Sequence, residues 1–354
     1  MTVLQVCAFA APYEGNFIKS LKALGQDLSE KGHKMIYAFP ESAKNIGWCK
    51  KLAEETDVYF LPLAKARLKV NTYKSLVDIY KRYDDLQIIH SHFELYDVPV
   101  TMTAPKSVRV FWHLHDALEV YNSLRYRIEH KVQYGLLHKK AELLAVAKKL
   151  MTYVLKCGFP ESQAKYVPNG LDLNRINKVG TSVESRKYDF MIFGWDYEIK
   201  GVDLAIKAAL KTNADIKIAV VASKQTAEII EQQFGKLNIL DVLDPVKDVN
   251  KLYEDTKCFL HISRAEGLSY ALLEAVYAGL PVICSDIDEN KFADVFPTVT
   301  MTKAEDIKSI ASAMRKSIEN LSVDASLINE SRSIIEREYS ISCWVSNILK
   351  LYGV

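Results

Sequence analysis

The sequence predicts an α/β protein made of two doubly wound parallel-sheet domains. Three observations point there. The chain has 354 residues, about two domains' worth. Short apolar runs alternate with helix-spaced stretches through most of it, which is the pattern of parallel sheets covered on both faces. Repeats of short fixed period and low-complexity tracts are lacking.

In the first half the strand expectations are Val3–Phe9, Lys34–Phe39, Val58–Leu61, Leu86–His90, Val108–His113 and Leu143–Val146. Glu14–Lys31 has helical spacing, with Phe17, Ile18, Leu21, Leu24 and Leu28 on one side, and Gly32 stops it. In the second half strands are expected at Tyr188–Phe193, Ile216–Val221, Lys257–Ile262 and Pro281–Cys284. Helices are expected at Val202–Leu210, Thr226–Phe234 and Leu268–Tyr277. Ala311–Leu351 reads as helical throughout, without a strand partner. The boundary is expected at Val167-Pro168-Asn169-Gly170-Leu171-Asp172, where Pro and an Asn-Gly pair break the pattern. The domains are then 1–168, with a crossing helix at about 339–354, and 169–338.

Composition excludes several classes. Hydrophobic residues at 49% and charged residues at 25% are a globular mix. A net charge of +2 gives no field that would draw nucleic acid to the whole molecule. No apolar run approaches the ~20 residues of a membrane span. The N-terminus lacks a basic leader and reads as a strand, so no signal peptide is expected. Six scattered cysteines without a CxxC pair suit reduced thiols in a cytoplasm. The charge is uneven: residues 1–165 hold 24 Lys+Arg against 17 Asp+Glu, and the remainder 22 against 27. A basic N-terminal half would suit an anionic membrane surface or a phosphorylated acceptor, and a chance asymmetry of solvated surface explains it equally.

Chemistry concentrates in His261–Ile283. A strand ends near Ile262, a loop carries Glu266 and Gly267, and a helix starts near Leu268. Gly267 lets backbone approach a ligand, and the N–H groups of Leu268, Ser269 and Tyr270 at a helix start would make an anion site. Glu266 and Glu274, eight residues apart, would stand ~80° apart on a helix. That spacing suits gripping two ends of a polyol better than a close carboxylate pair. An ordinary buried helix with a glutamate at each end fits the same residues. Lys200 precedes the helix at Gly201, where the dipole prefers an anion, so an anionic ligand would resolve the conflict.

The run Glu266-Gly267-Leu-Ser-Tyr-Ala-Leu-Leu-Glu274-Ala275, closed by Ala278-Gly279-Leu280-Pro281-Val282, resembles the EX7E signature of retaining GT-B glycosyltransferases of the nucleotide-sugar-using family four. Phe193-Gly194 followed by Lys200-Gly201 is similar to that family's loop with a phosphate-binding lysine. Val167–Asp172 is similar to its interdomain turn, Gly32-His33 to its first helix stop, Ile89–His92 to its mid-domain strand end, and Leu114-His115-Asp116 to its acceptor-side histidine. The matches span about residues 5–350. The family's arginine after the glycine is replaced by Trp195, and Arg264 is the candidate to supply the charge. The first glycine loop offers only Gly15, and Ala145–Ala147 stands where the family has a serine.

The resemblance implies two Rossmann-like domains facing across a cleft. A nucleotide-diphosphate sugar would lie on the second domain and a glycan or lipid-linked acceptor on the first, with retention and with neither metal nor other cofactor. It places Glu266 and His115 at the transferred sugar, and Glu274 on the ribose. Lys200, Arg264, Gly267, Leu268, Ser269, Gly194, Asn169 and Gly15 would also bind the donor. The expected setting is cytoplasmic, peripheral at the inner face of the membrane, in bacterial surface polysaccharide or glycolipid synthesis. Two HxH pairs, His90/His92 and His113/His115, leave a metal site with Asp116 open, and with it a hydrolase. The chain is also compatible with a sugar-nucleotide epimerase and with a non-catalytic GT-B subunit; Trp195 supports the latter. Tyr121–Lys140 reads as a basic aromatic helix, suited either to a membrane interface or to packing against the core.

Overall fold

A computed structural model describes residues 1–62, 69–115, 123–139, 141–180, 185–246, 248–320 and 324–354. The chain forms two compact units. One is Met1–Gly170 with Ile341–Val354; the other is Leu171–Ser340.

The first unit holds a seven-stranded parallel sheet. Its strands are β1 (Thr2–Cys7), β2 (Lys34–Pro40), β3 (Val58–Leu61), β4 (Leu86–His92), β5 (Arg109–Leu114), β6 (Glu142–Ala145) and β7 (Ala164–Tyr166). The order β3-β2-β1-β4-β5-β6-β7 reverses between β1 and β4. The helix Gly15–Glu30 buries Phe17, Ile18, Leu21, Leu24 and Leu28, the face its spacing predicts. The helix Ile341–Tyr352 joins the same core through Trp344, Val345, Ile348, Leu349 and Tyr352.

The second unit repeats the plan with six parallel strands: β8 (Tyr188–Gly194), β9 (Ile218–Ala222), β10 (Leu240–Leu243), β11 (Thr256–His261), β12 (Val282–Asp286) and β13 (Val299–Lys303). Its order, β10-β9-β8-β11-β12-β13, reverses between β8 and β11. Ligands of doubly wound sheets lie at the carboxyl ends of the strands beside such a reversal. The sites to inspect are therefore the ends of β1 and β4, and the ends of β8 and β11.

Three sequence expectations need correction. The helix expected from Leu268 starts at Tyr270, because Ser269 caps it by accepting a hydrogen bond from the Leu272 amide. The helical tail is broken: Ile307–Glu319, Ala325–Glu338 and Ile341–Tyr352 are separate helices, and Ser340 makes a strand bridge to Leu171. β7, β10 and β13 lie outside the strands that the apolar pattern predicts; they are three to five residues long and only half-buried.

Candidate functional site

In the second unit, charged residues gather at the reversal between β8 and β11. β8 ends at Gly194, where an added Cβ would stand 2.9 Å from a Val202 methyl. The turn that follows brings Lys200 to the mouth of the pocket beside Phe193, Trp195, His261 and Ser263. Gly201 then sits at φ +65°, and a Cβ there would lie 2.1 Å from the Ile262 carbonyl oxygen. Only glycine lets this turn press against the end of β11.

Lys200 Nζ lies 2.7 Å from Glu266 Oε1. The lysine at a helix start is thus answered by a carboxylate. Burial pushes the Glu266 carboxyl upward, but the charges around it win and hold it below the ordinary carboxylate range. His261 Nε2 stands 3.6 Å from the same oxygen. Burial lowers the His261 pKa, with the Lys200 charge adding to it against Glu266. Burial biases His261 toward its neutral form, and His261, Lys200 and Ser263 together hold Glu266 ionised.

Glu274 lies on the helix Tyr270–Ala278 and is 5% exposed. It pairs with Arg175 and accepts a hydrogen bond from Tyr253 Oη at 3.3 Å. The two glutamates are held by different cations. Arg264 is placed differently. Its two terminal nitrogens grip the Asp203 carboxylate at 2.9 and 3.1 Å, and Nη1 also donates to the Glu198 carbonyl at 2.6 Å. A guanidinium spent on a fork-to-fork pair is not available to replace the arginine missing at Trp195. Trp195 is 53% exposed.

Gly267 and Leu268 lie between Glu266 and the Ser269 cap, with Leu268 buried. Gly15 opens the first helix at φ +58°.

The first unit presents a neutral counterpart. His90, His92, His113 and His115 form a stack on β4, β5 and the residue after β5, with neighbouring ring centroids 4.2–5.4 Å apart. Burial lowers the His90 and His115 pKa values to about 3 and takes those of His92 and His113 well below the ordinary range. His90, His92 and His113 come close enough to suggest a metal site. However, the His90 ring lies 6° from parallel to His113 and 26° from His92. Stacked imidazoles point their lone pairs side by side, whereas metal bonds of ~2.0–2.1 Å need them to converge. Asp116, the proposed carboxylate, lies outside the described residues, as do Tyr121 and Lys140.

Both ring nitrogens of His115 are engaged, Nε2 with His92 at 3.0 Å and Nδ1 with the Asn169 amide at 2.9 Å. His115 therefore has no ring atom left for a sugar hydroxyl. Gln5 and Tyr352, which complete this network, carried no signal in the sequence beyond their places in a strand and a final helix.

The helix Leu124–Val132, continuing as a wider turn through Leu137, carries an exposed apolar stripe. Leu124 is 74% exposed, Ile128 55%, Val132 40% and Leu136 73%. The expectation that this helix packs against the core fails for these four. Among the described residues, no helix is long and apolar enough to cross a membrane.

Residues 188–320 match the family profile "Glycosyl transferases group 1", and residues 19–175 match "Glycosyltransferase Family 4". Over the whole chain the fold is that of GT-B structures. The Anabaena HepE protein in complex with UDP superposes with a TM-score of 0.81 at 16% identity, covering 100% of both chains. A glycosyltransferase from Rickettsia africae gives 0.80 at 14%, covering 99% of this chain and 97% of that one. The lipopolysaccharide outer core galactosyltransferase WaaB gives 0.74 at 13%, covering 100% and 99%. An uncharacterized glycosyltransferase of Methanocaldococcus jannaschii is 22% identical over 238 residues, 61% of this chain and 59% of that relative's length. Each unit thus matches a glycosyltransferase profile, and the fold is that of GT-B structures.

Proposed function

We propose that the protein transfers a sugar, with retention of configuration, from a nucleotide-diphosphate sugar to a glycan or lipid-linked acceptor. The observation that carries this is the Lys200–Glu266 pair at the β8/β11 reversal, with Glu274 held apart on the following helix. A diphosphate entering there would take Lys200 as its cation, with main-chain amides of the loop from Gly267 to Ser269 beside it. Glu266, released from Lys200, would hold the transferred sugar, and Glu274 with Arg175 would meet the ribose hydroxyls. Such a site needs no divalent metal, because Lys200 supplies the charge that a metal would. HepE, similar in fold, binds UDP and UDP-glucose, so uridine nucleotides are the first probes to try.

The exposed stripe Leu124, Ile128, Val132 and Leu136, flanked by Arg125, Arg127 and Lys131, supports a second element of the reading: peripheral attachment to an anionic membrane, where a lipid-linked acceptor would be met. A specific observation favours a different reading, a sugar-binding subunit without turnover: Trp195 replaces the expected arginine, and Arg264 is committed to Asp203. Release of UDP from a panel of UDP-sugars, with and without EDTA, separates the readings. Turnover that persists in EDTA supports the proposal. Binding without turnover supports the subunit, and activity that requires manganese contradicts the metal-free site.

A further inference from the structure

One wall of the charged site in the second unit is apolar and open. The pocket at the β8/β11 reversal is lined by Trp195, Lys200, His261 and Ser263, with the strand residues Phe193 and Phe259 behind them. Trp195 is 53% exposed, whereas Trp48, Trp112 and Trp344 are each at most 5% exposed. The Trp195 carbonyl oxygen accepts a hydrogen bond from Ser223 Oγ at 3.3 Å, which ties down the turn. Among the described residues, neither a ring nor a cation stacks on its indole.

The polar side of the same pocket is incomplete. His261 is 4% exposed, and its Nε2 has no hydrogen-bond partner among the described residues. It stands 3.6 Å from Glu266 Oε1, too far for a bond. A hydroxyl both gives and takes a hydrogen bond, so one hydroxyl can serve the ring nitrogen and the carboxylate together. The site thus sets an apolar plane beside polar edge groups. A pyranose has the same division, with C–H bonds on its faces and hydroxyls around its rim. A phosphate does not suit the plane, because the face of an aromatic ring carries negative potential. A nucleobase would stack there, but it is joined to the ribose, and Glu274, the expected ribose grip, pairs with Arg175 and Tyr253, neither of which lines this pocket. Glu266 instead lies 2.7 Å from a lining residue, Lys200.

We infer that Trp195 is the platform for the transferred sugar: its indole takes the C–H face of the pyranose, while His261 and Glu266 take hydroxyls at the rim. Standing where the resembling family has arginine, Trp195 recognises the sugar by its shape and not the diphosphate by its charge. That the sugar arrives on a nucleotide rests on the proposed function; that the indole binds a sugar ring does not.

Fluorescence and calorimetry test the inference. Because the other three tryptophans are buried, acrylamide quenching reports Trp195, and Trp195→Phe should remove most of the quenchable emission. UDP-glucose, UDP-galactose and GDP-mannose are the probes, each compared with its nucleoside diphosphate. A sugar nucleotide that binds should lower the wild-type quenching slope several-fold, while UDP or GDP alone should leave it unchanged. In calorimetric titrations Trp195→Ala should weaken that sugar nucleotide about two- to tenfold and the bare diphosphate not at all. Trp195→Phe keeps a ring and should lose less. Protection by the diphosphate alone would put the base on the indole, and binding without protection would put the ligand elsewhere; either result overturns the inference. If no nucleotide binds, the donor reading fails, and free glucose, galactose and mannose, with acyclic sorbitol as control, decide the platform on its own. Protection by a hexose and not by sorbitol upholds it; equal slopes overturn it.

Discussion

The two units share a topology and differ in chemistry. At the reversal in the second unit the side chains are ions: Lys200 with Glu266, Arg175 with Glu274, Arg264 with Asp203. At the reversal in the first, the network around the histidine stack is neutral: Gln5, four histidines, Tyr352 and Asn169. A doubly wound sheet supplies the same crevice in both places, and the residues at the strand ends decide what it holds. Ion pairs at a mouth can exchange partners with a charged ligand such as a diphosphate. A neutral network has no charge to trade and serves to orient dipoles toward hydroxyls.

The largest effect that would sharpen this contrast is on turnover. Glu266→Ala should lower kcat by about two to three decades, the range seen when one group acting mainly in the transition state is removed. Affinity for UDP should not fall, because Lys200 loses a competitor for its charge. A calorimetric titration beside a rate measurement checks both; a fall in UDP affinity like that of Glu274→Ala, expected at about tenfold to a hundredfold, would break the division between the two glutamates.

A stability effect follows from the same pair. Glu266 is held below the ordinary carboxylate range, so its contribution is present above the unfolded-state value and is lost as pH falls through the folded one. Lys200→Met removes one of the groups that hold the carboxyl down and leaves burial, which pushes it up, opposed only by His261 and Ser263. The variant should be less stable than wild type at pH 7 and recover part of the difference on mild acidification. Denaturant midpoints at pH 7 and pH 5 would show it, and an equal deficit at both would contradict it.

Membrane attachment should respond more modestly. Leu124→Ser with Leu136→Ser should reduce co-sedimentation with anionic vesicles several-fold and leave neutral vesicles unbound as before. Unchanged sedimentation would separate the stripe from any membrane role. The smallest effect is expected at His113. It lies in the neutral stack with neither ring nitrogen in a side-chain hydrogen bond, so His113→Leu should change stability by no more than about 1 kcal/mol. A large loss would mean that the stack holds something the neutral reading omits.

The fold was readable because the pattern of the apolar residues reports burial locally: the helix at Gly15–Glu30 and the strand at Lys34–Pro40 follow their patterns closely. β10 and β13 escaped because short, half-buried strands leave little periodicity. At the site, the spacing of Glu266 and Glu274 and the glycine after Lys200 were legible, since each is a local constraint. Their partners were not. Glu266 meets a lysine 66 residues away, and Glu274 an arginine 99 away. Arg264 was expected to face a ligand because it stands two residues from Glu266; Asp203, 61 residues away, claims it. Gln5 escaped for the same reason, as its importance comes from Tyr352 at the far end of the chain.

The central claim is that the second unit binds a nucleoside diphosphate through Lys200 without a metal. Calorimetric titration of UDP in EDTA into wild type and Lys200→Met tests it most directly. The account predicts saturable binding in wild type, weakened about tenfold to a hundredfold by the substitution in protein shown to be folded. Binding that disappears in EDTA, or that is equally tight without Lys200, would contradict it.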